Sequence, residues 1–292
     1  MSSIETHGAA AGQNDPPRRA DWTIAQGWEH YSAAEHFTWK TLFERQTKLL
    51  PGRACDEFVQ GMRDLPIGAE GIPDFRRLSD VLMQRTGWQV VAVPGLVPDE
   101  VFFEHLANRR FPCGQFIRKP HELDYLEEPD VFHDVFGHVP MLMNPVIADY
   151  IQAYGAGGLR AQRLGHLANL ARVYWYTVEF GLLRQSDGLR IYGAGIASSW
   201  SESVFALDDP SPNRIRFDLE RVMRTHFRID DFQESYFVIN SLDDLLELAR
   251  IDFEPIYGRI QGQVEYQPGE ILLGDTLIAR GTRQYFEGKR QG

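Results

Sequence analysis

Two histidines, His133 and His138, stand five residues apart in the run Glu128-Pro129-Asp130-Val131-Phe132-His133-Asp134-Val135-Phe136-Gly137-His138-Val139-Pro140, which is otherwise largely apolar. Imidazole nitrogen is the commonest protein ligand for iron, zinc and copper, and a pair at short fixed spacing lets one local structure supply two bonds. On a regular α-helix a spacing of five turns the second side chain about 140° away from the first. The helix is therefore expected to break between or beside them. Gly137, permissive in its dihedrals, and Pro140, unable to continue a helix, give the chain that licence. This places His133 in the last turn of a short helix opening near Pro129, with His138 just past its end.

A third ligand is best sought among carboxylates that have no other reason to be where they are. Glu179 has Trp175 and Tyr176 one turn before it and Leu182 and Leu183 one turn after it, so its helix face is apolar or aromatic. A carboxylate in such a stripe is costly to desolvate unless it meets a cation. Arg172 is two turns away and Arg184 points off the face. His133, His138 and Glu179 together make a two-histidine, one-carboxylate set with open positions, the arrangement of non-haem iron(II) sites. On residue chemistry alone a zinc hydrolase stays open, although the chain lacks an HExxH run and a second carboxylate in a suitable motif to act as base. So does a metal-free binding module, which would leave Glu179 uncompensated. The remaining histidines, His7, His30, His36, His105, His121, His166 and His226, are unclustered and read as surface or core residues.

The elements that must position these groups are mostly helical. Apolar spacing predicts helices over Trp28–Leu50, stopped by Pro51-Gly52, around Cys55–Met62, over Asp74–Thr86 with Gly87 in the C-terminal position, and over Asp99–Asn108. The strongest helical segment is His166–Arg184. Further helices are expected over Ser199–Leu207, over Asp218–His226, and from the capping-box run at Ser241 through Ala249. Trp88–Val93, closed by Pro94-Gly95, reads as a strand, Gly114–Arg118 as a second, and Arg190–Gly195 as a brief strand or loop. Past Gly262 the pattern thins to coil with apolar runs at Ile271–Leu273 and Leu277–Ala279. No composition break divides Asp21 from Gly262. The expectation is one mainly α domain over 21–262 with a few short strands, a disordered leader over 1–20 and a C-terminal tail over 263–292.

Composition narrows the function classes. A chain of 292 residues that is 43% hydrophobic can bury a sizeable core. Its formal charge of -11, with no lysine or arginine run, argues against a protein that neutralises phosphates, so no nucleic-acid partner is expected. Cys55 and Cys113 are too few and too far apart for a disulfide framework or a thiolate cluster, which fits a reducing cytoplasm. No apolar window reaches the length of a membrane helix, and no membrane partner is expected.

The stretch EPDVFHDVFGHVP, followed by VYWYTVEFGL and then by YGAGIASSWSE, resembles the pterin-dependent aromatic amino acid hydroxylases. The likeness runs from Asp21 to Ala249. It implies a monooxygenase that uses Fe(II), O2 and a tetrahydropterin to convert L-phenylalanine to L-tyrosine, feeding phenylalanine catabolism, in a mainly helical, basket-like catalytic domain. Carried over by residue, the family's iron ligands fall on His133, His138 and Glu179. Arg118 matches the arginine that grips the substrate carboxylate, a task suited to a bidentate guanidinium fork, and Asp130 matches the acid that orients it. Pro129 and Trp175 match residues lining the slot for the aromatic ring, and Ser198 one near the substrate and the first iron histidine. Phe102 corresponds to the phenylalanine that stacks on the pterin, with Gly95, Val97, Asp134, Ala171 and Tyr174 at further pterin-side positions. No catalytic acid or base outside the metal shell is implied.

The chain departs from the family's animal members at Asp134, where they carry Glu, and at Leu126, where they carry a substrate-contacting Thr. The leader holds no counterpart of their regulatory domain, and no heptad helix follows for tetramerisation, so a monomer is expected. Ile229 stands where the tyrosine-specific enzymes resemble one another in having Asp, and Trp175 is the residue of the phenylalanine and tyrosine enzymes. Phenylalanine is the expected substrate.

Overall fold

Capping chemistry sets the first helices of the computed structural model, which describes residues 18–124 and 128–290. Most of the expected leader, and Leu126, lie outside the described residues. Helix α1 (Ala33–Leu49) opens at Ser32, whose hydroxyl accepts from the Glu35 N–H while the Glu35 carboxylate accepts from the Ser32 N–H at 2.7 Å. Trp28–His30 is a separate 3-10 turn, so α1 starts later than the apolar spacing suggests. Helices α2 (Asp56–Asp64) and α3 (Phe75–Arg85) follow, the second capped by Asp74. Strands β1 (Gln89–Val93) and β2 (Arg110–Gly114) pair in parallel across α4 (Asp99–Ala107). The second strand thus ends at Gly114, where the sequence reading had it begin. Pro112 is what hides it: a proline argues against a strand, yet in a two-stranded sheet its missing N–H can face the free edge.

The longest helix, α5 (Pro145–Leu164), was not expected, because Gly155, Gly157 and Gly158 interrupt its pattern. The bare α-carbons are a packing requirement. A Cβ on Gly155 would lie 2.4 Å from the Ala107 nitrogen, and one on Gly158 2.1 Å from the Phe103 ring, so α4 reaches α5 only because both are absent. Helix α6 (Leu167–Tyr174) then runs into a π turn at Trp175–Glu179. The helix expected to continue to Arg184 stops there, and Leu182–Gln185 form strand β3, which turns back into β4 (Gly188–Ile191).

The rest of the chain alternates short helices with strands: α7 (Ala194–Ala197), α8 (Trp200–Asp208), β5 (Asn213–Arg216), α9 (Leu219–Met223), β6 (Ser235–Ile239), α10 (Asp243–Leu248), α11 (Glu254–Ile260), β7 (Leu277–Ala279) and α12 (Gln284–Arg290). The five-stranded sheet has the order β4-β3-β6-β5-β7. Strand β6 is buried at every residue between two parallel neighbours, which is why it reads as an unbroken apolar run rather than an alternation. The segment expected as a tail supplies the edge strand β7, antiparallel to β5, and Phe286 of α12 is buried. The architecture is mainly helical with two small sheets. Among the described residues no helix is long and apolar enough to cross a membrane.

The core converges on the histidine segment. Phe132 and Phe136 stack at 4.8 Å and are enclosed by Trp39, Phe43 and Phe58 at 5.2, 5.8 and 6.0 Å. Every residue from Asp134 to Met143 is buried.

Candidate metal centre

The expected helix break between the two histidines does not occur. Val131 and Phe132 are α-helical, His133–His138 form a π-helix, and Val139–Met143 continue as a 3-10 helix. In a π turn the N–H of residue i+5 bonds the carbonyl of residue i, so residues five apart stack on one face. Widening the helix therefore brings together the two side chains that a regular helix would part. Gly137 serves a different end from the one expected: its φ is not left-handed, and a Cβ there would lie 2.8 Å from the Ala194 carbonyl oxygen. Its bare α-carbon lets α7 lie against the π turn. The same device recurs at Glu179, where the Phe180 N–H bonds the Trp175 carbonyl at 2.8 Å and closes a second π turn.

Three donor atoms meet where these turns face each other. His133 Nε2 lies 3.2 Å from His138 Nε2, His138 Nε2 lies 3.1 Å from Glu179 Oε1, and His133 Nε2 lies 3.6 Å from Glu179 Oε2. Metal–donor bonds of about 2.1 Å separate neighbouring donors by about 3.0 Å at right angles and about 3.4 Å at tetrahedral ones. The triangle therefore has the size of one face of a coordination shell, and the nitrogen–oxygen donor set suits iron(II). Asp134 also has a carboxylate oxygen within 4.8 Å of ligand atoms of both histidines. Its Oδ2, however, accepts from the Gly114 N–H at 2.7 Å, whereas both oxygens of Glu179 face the imidazoles. Glu179 is accordingly the carboxylate of the set and Asp134 its neighbour.

Hydrogen bonding orients one donor and charge acts on the others. Ser198 Oγ donates to the Ala194 carbonyl at 2.8 Å, so at its 2.9 Å contact with His133 Nδ1 it must accept. That assigns the proton to Nδ1 and aims the Nε2 lone pair at the triangle. Burial holds the His133 imidazole neutral, with its pKa lowered to about 4 against the pull of Glu179. For His138 burial acts downward too, but the Glu179 charge and hydrogen bond outweigh it and raise the pKa. Burial would lift Glu179, and His138 and His133 together bring it below the usual carboxylate range. A divalent cation would compete with protons for these groups.

His133 and Glu179 open on a cavity of ≈ 540 Å³ that Arg118, Pro129, Trp175 and Ser198 also line. Arg118 and Asp130 are both buried, and their pairing is bidentate: Nε to Oδ2 and Nη2 to Oδ1, each at 2.8 Å. The backbone N–H groups of Arg118 and His133 complete the shell around Asp130 at 2.9 and 3.0 Å. Burial would raise its carboxyl, and these four donors outweigh burial and lower it. Trp175 lies between Phe180 at 4.8 Å and Phe227 at 4.2 Å. On the other side of the histidines, Tyr174 stacks toward His138 at 6.3 Å and meets Phe102 edge-on at 6.0 Å. Ala171 lies one turn before Tyr174 on α6, and Gly95 and Val97 sit in the turn after β1. A Cβ on Gly95 would lie 2.6 Å from a Glu128 carboxylate oxygen.

Glu202 and Gln233 are among the polar residues lining this cavity that the sequence does not single out. Gln233 Oε1 accepts from the Trp175 indole N–H at 3.0 Å, which no periodicity announces. Glu202 did carry a signal: Phe205 and Ala206 follow one turn later, the same apolar company that marked Glu179. Burial pushes its carboxyl from 4.5 to about 7, opposed by the hydrogen bond from the Tyr236 hydroxyl. A carboxyl raised in the folded state gives stability that is complete below about pH 4.5 and is lost as pH rises through about 7. Glu202→Gln is expected to remove this loss, on the order of 2 to 3 kcal/mol. Denaturant titrations at pH 5 and pH 8 check it, and equal pH dependence in both proteins would contradict it.

The model of the family described as biopterin-dependent aromatic amino acid hydroxylase matches residues 27–268. A phenylalanine-4-hydroxylase of Caulobacter vibrioides is 66% identical over 274 residues, covering 93% of each chain. One of Chromobacterium violaceum is 56% identical over 264 residues, covering 90% of this chain and 89% of that one. A crystal structure of the Chromobacterium violaceum phenylalanine hydroxylase with bound iron and phenylalanine aligns with TM-score 0.86 at 55% identity over 89% of this chain and 96% of that chain. Another, with iron(III) and 7,8-dihydrobiopterin, aligns with TM-score 0.87 at 56% identity over 90% and 95%.

Proposed function

Because the chain belongs to the biopterin-dependent aromatic amino acid hydroxylase family, we infer that it is a phenylalanine 4-monooxygenase, hydroxylating L-phenylalanine to L-tyrosine with Fe(II), O2 and a tetrahydropterin. The observation that carries the reading is one cavity wall, on which two members of the donor triangle, the Arg118 guanidinium and the Trp175 ring face the same space. The relatives that hold iron with phenylalanine, and iron with dihydrobiopterin, support the choice of substrate and cofactors.

His133, His138 and Glu179 would hold the iron, and iron with reduced pterin supplies the activation of O2 that ring hydroxylation needs. The chain's own residues bind, orient and shield. Arg118 spends Nε and Nη2 on Asp130, which fixes the guanidinium plane, and Nη1, which makes only a long 3.5 Å bond to the Leu123 carbonyl, is the donor offered to the substrate carboxylate. With the carboxylate held there, Pro129 and Trp175 form the slot for the ring. Ser198 keeps His133 in its ligating tautomer. Phe102 and Tyr174 give the pterin an aromatic wall, with Gly95, Val97, Asp134 and Ala171 on the same side. Ile229, an apolar side chain on the cavity lining, favours an unsubstituted ring.

The same reading takes residues 21–262 as a basket-like catalytic domain and 263–292 as its closing segment. It places the protein in the cytoplasm as a monomer without nucleic-acid or membrane partners, and solution scattering reads that state. The test of the activity is anaerobic loading with iron(II) followed by phenylalanine, tetrahydropterin and O2. Tyrosine should form in proportion to bound iron. Retained zinc, or no tyrosine from iron-loaded protein, would overturn the reading.

A further inference from the structure

One wall of the cavity is the loop 228–233, which contributes Ile229, Asp231 and Gln233 to the lining. Toward the interior, Gln233 ties this loop to the indole: its Oε1 accepts from Trp175 Nε1 at 3.0 Å and its Nε2 donates to the Arg228 carbonyl at 2.8 Å. Toward the outside, the loop is tied to α12, which lies beyond the residues 27–268 that match the family. The Asp231 side chain is only 9% exposed; it accepts from the Tyr285 hydroxyl at 2.8 Å and, on both oxygens, from the Lys289 ammonium at 3.0 Å. Phe232 stacks on Phe205 at 4.3 Å and meets Tyr285 at 5.3 Å.

Helix α12 is itself held in place. The Tyr285 N–H donates to Ser211 Oγ at 3.1 Å, and Arg283 donates to the Gly269 carbonyl at 2.8 Å and to Glu234 at 2.7 Å. Lys289 also reaches the cavity lining. An exposed ion pair contributes little to stability. Here the carboxylate is covered and, apart from Arg228 of the same loop at 4.0 Å, its side-chain partners Tyr285 and Lys289 come from one short helix, so the contacts define where the loop lies.

We propose that α12 is a working wall of the substrate cavity: Asp231, Tyr285 and Lys289 are positioning residues that fix the loop 228–233, and through Gln233 the Trp175 ring, around an aromatic amino acid. This rests on the phenylalanine reading of the cavity. Its consequence is that residues outside the matched family region set how tightly phenylalanine is held and how well a larger aromatic amino acid is rejected.

The test uses the iron-loaded full chain and three variants, Lys289→Ala, Lys289→Ala with Tyr285→Phe, and Lys289→Arg. Lys289 is 59% exposed at its side chain, so its replacement leaves the fold intact, and thermal melting verifies this. In the double variant, amide hydrogen exchange over 228–233 should quicken, KM for phenylalanine should rise roughly ten-fold with a smaller change in kcat, and preference for phenylalanine over tryptophan should fall. Lys289→Arg should restore most of the preference that Lys289→Ala loses. Unchanged exchange overturns the proposal, and so does quickened exchange with KM and preference within two-fold of the parent. A parent that makes no tyrosine instead overturns the phenylalanine reading, and this proposal with it.

Discussion

Glu179→Ala is expected to lose bound iron and tyrosine formation together, with turnover down roughly a thousand-fold or more, about 4 kcal/mol of barrier. The carboxylate is the only anionic member of the donor triangle, and its oxygens lie 3.1 and 3.6 Å from the two imidazole nitrogens. Two neutral imidazoles alone bind a hard divalent cation weakly and leave the cation's charge unneutralised in a buried site. His138→Ala should have the same outcome by removing a different corner.

Stability should follow a separate course. Glu179 is what raises the His138 pKa against burial, so once the carboxylate is gone burial favours the neutral imidazole, and no stranded charge is left in the interior. The metal-free variant should therefore melt close to the metal-free parent. The parent alone should gain melting temperature on adding iron(II), since a ligand stabilises only the state that binds it. Iron content by elemental analysis, melting with and without iron(II), and tyrosine formation read the three effects. Full hydroxylation by Glu179→Ala or His138→Ala would exclude them as ligands.

That the three donors could be chosen from sequence, while the geometry uniting them could not, has a physical cause. Glu179 stood out because burial of a carboxylate among Trp175, Tyr176, Leu182 and Leu183 demands a partner. Its apolar signature is chemical and survives in the sequence, although Leu182 and Leu183 turn out to lie in β3 rather than on its helix face. The π turns have no such signature. No residue type requires an i+5 hydrogen bond, and Gly137 and Pro140 suggested a break where the chain widens into a π-helix and then tightens into a 3-10 helix. The glycines of α5 misled in the same way, since a sequence cannot distinguish a glycine that bends the chain from one that admits a neighbour as close as Phe103. Strand β2 was displaced by Pro112, tolerable only in a sheet whose size was not yet known. Arg118 and Asp130 needed the family likeness, because twelve residues of chain separate them and only the fold makes the pair buried and bidentate. Gln233 carried no signal at all.

The Arg118–Asp130 pair leads to the second large effect. Arg118→Lys preserves the charge and removes the fork. Asp130 now receives two charge-assisted bonds from the guanidinium, at 2.8 Å each, and an ammonium cannot reproduce both while also reaching a substrate carboxylate. Losing the charge-assisted bond from Nη1 to the substrate carboxylate costs about 1.5 to 3 kcal/mol in the substrate complex. That corresponds to a fall in kcat/KM for phenylalanine of about ten-fold to a hundred-fold. Arg118→Met is a poor substitute as a test, because it strands the fully buried Asp130 and endangers the fold by about 3 to 5 kcal/mol. The sharper comparison uses phenethylamine, which is phenylalanine without its carboxylate. The parent should strongly prefer phenylalanine to phenethylamine, and Arg118→Lys should erase most of that preference while using phenethylamine about as well as the parent does. If Arg118 acted only by supporting the loop around Asp130, the variant would lose both substrates in equal proportion and the preference would survive. Equal losses would therefore remove Arg118 from the substrate site and leave its pairing with Asp130 a matter of folding alone.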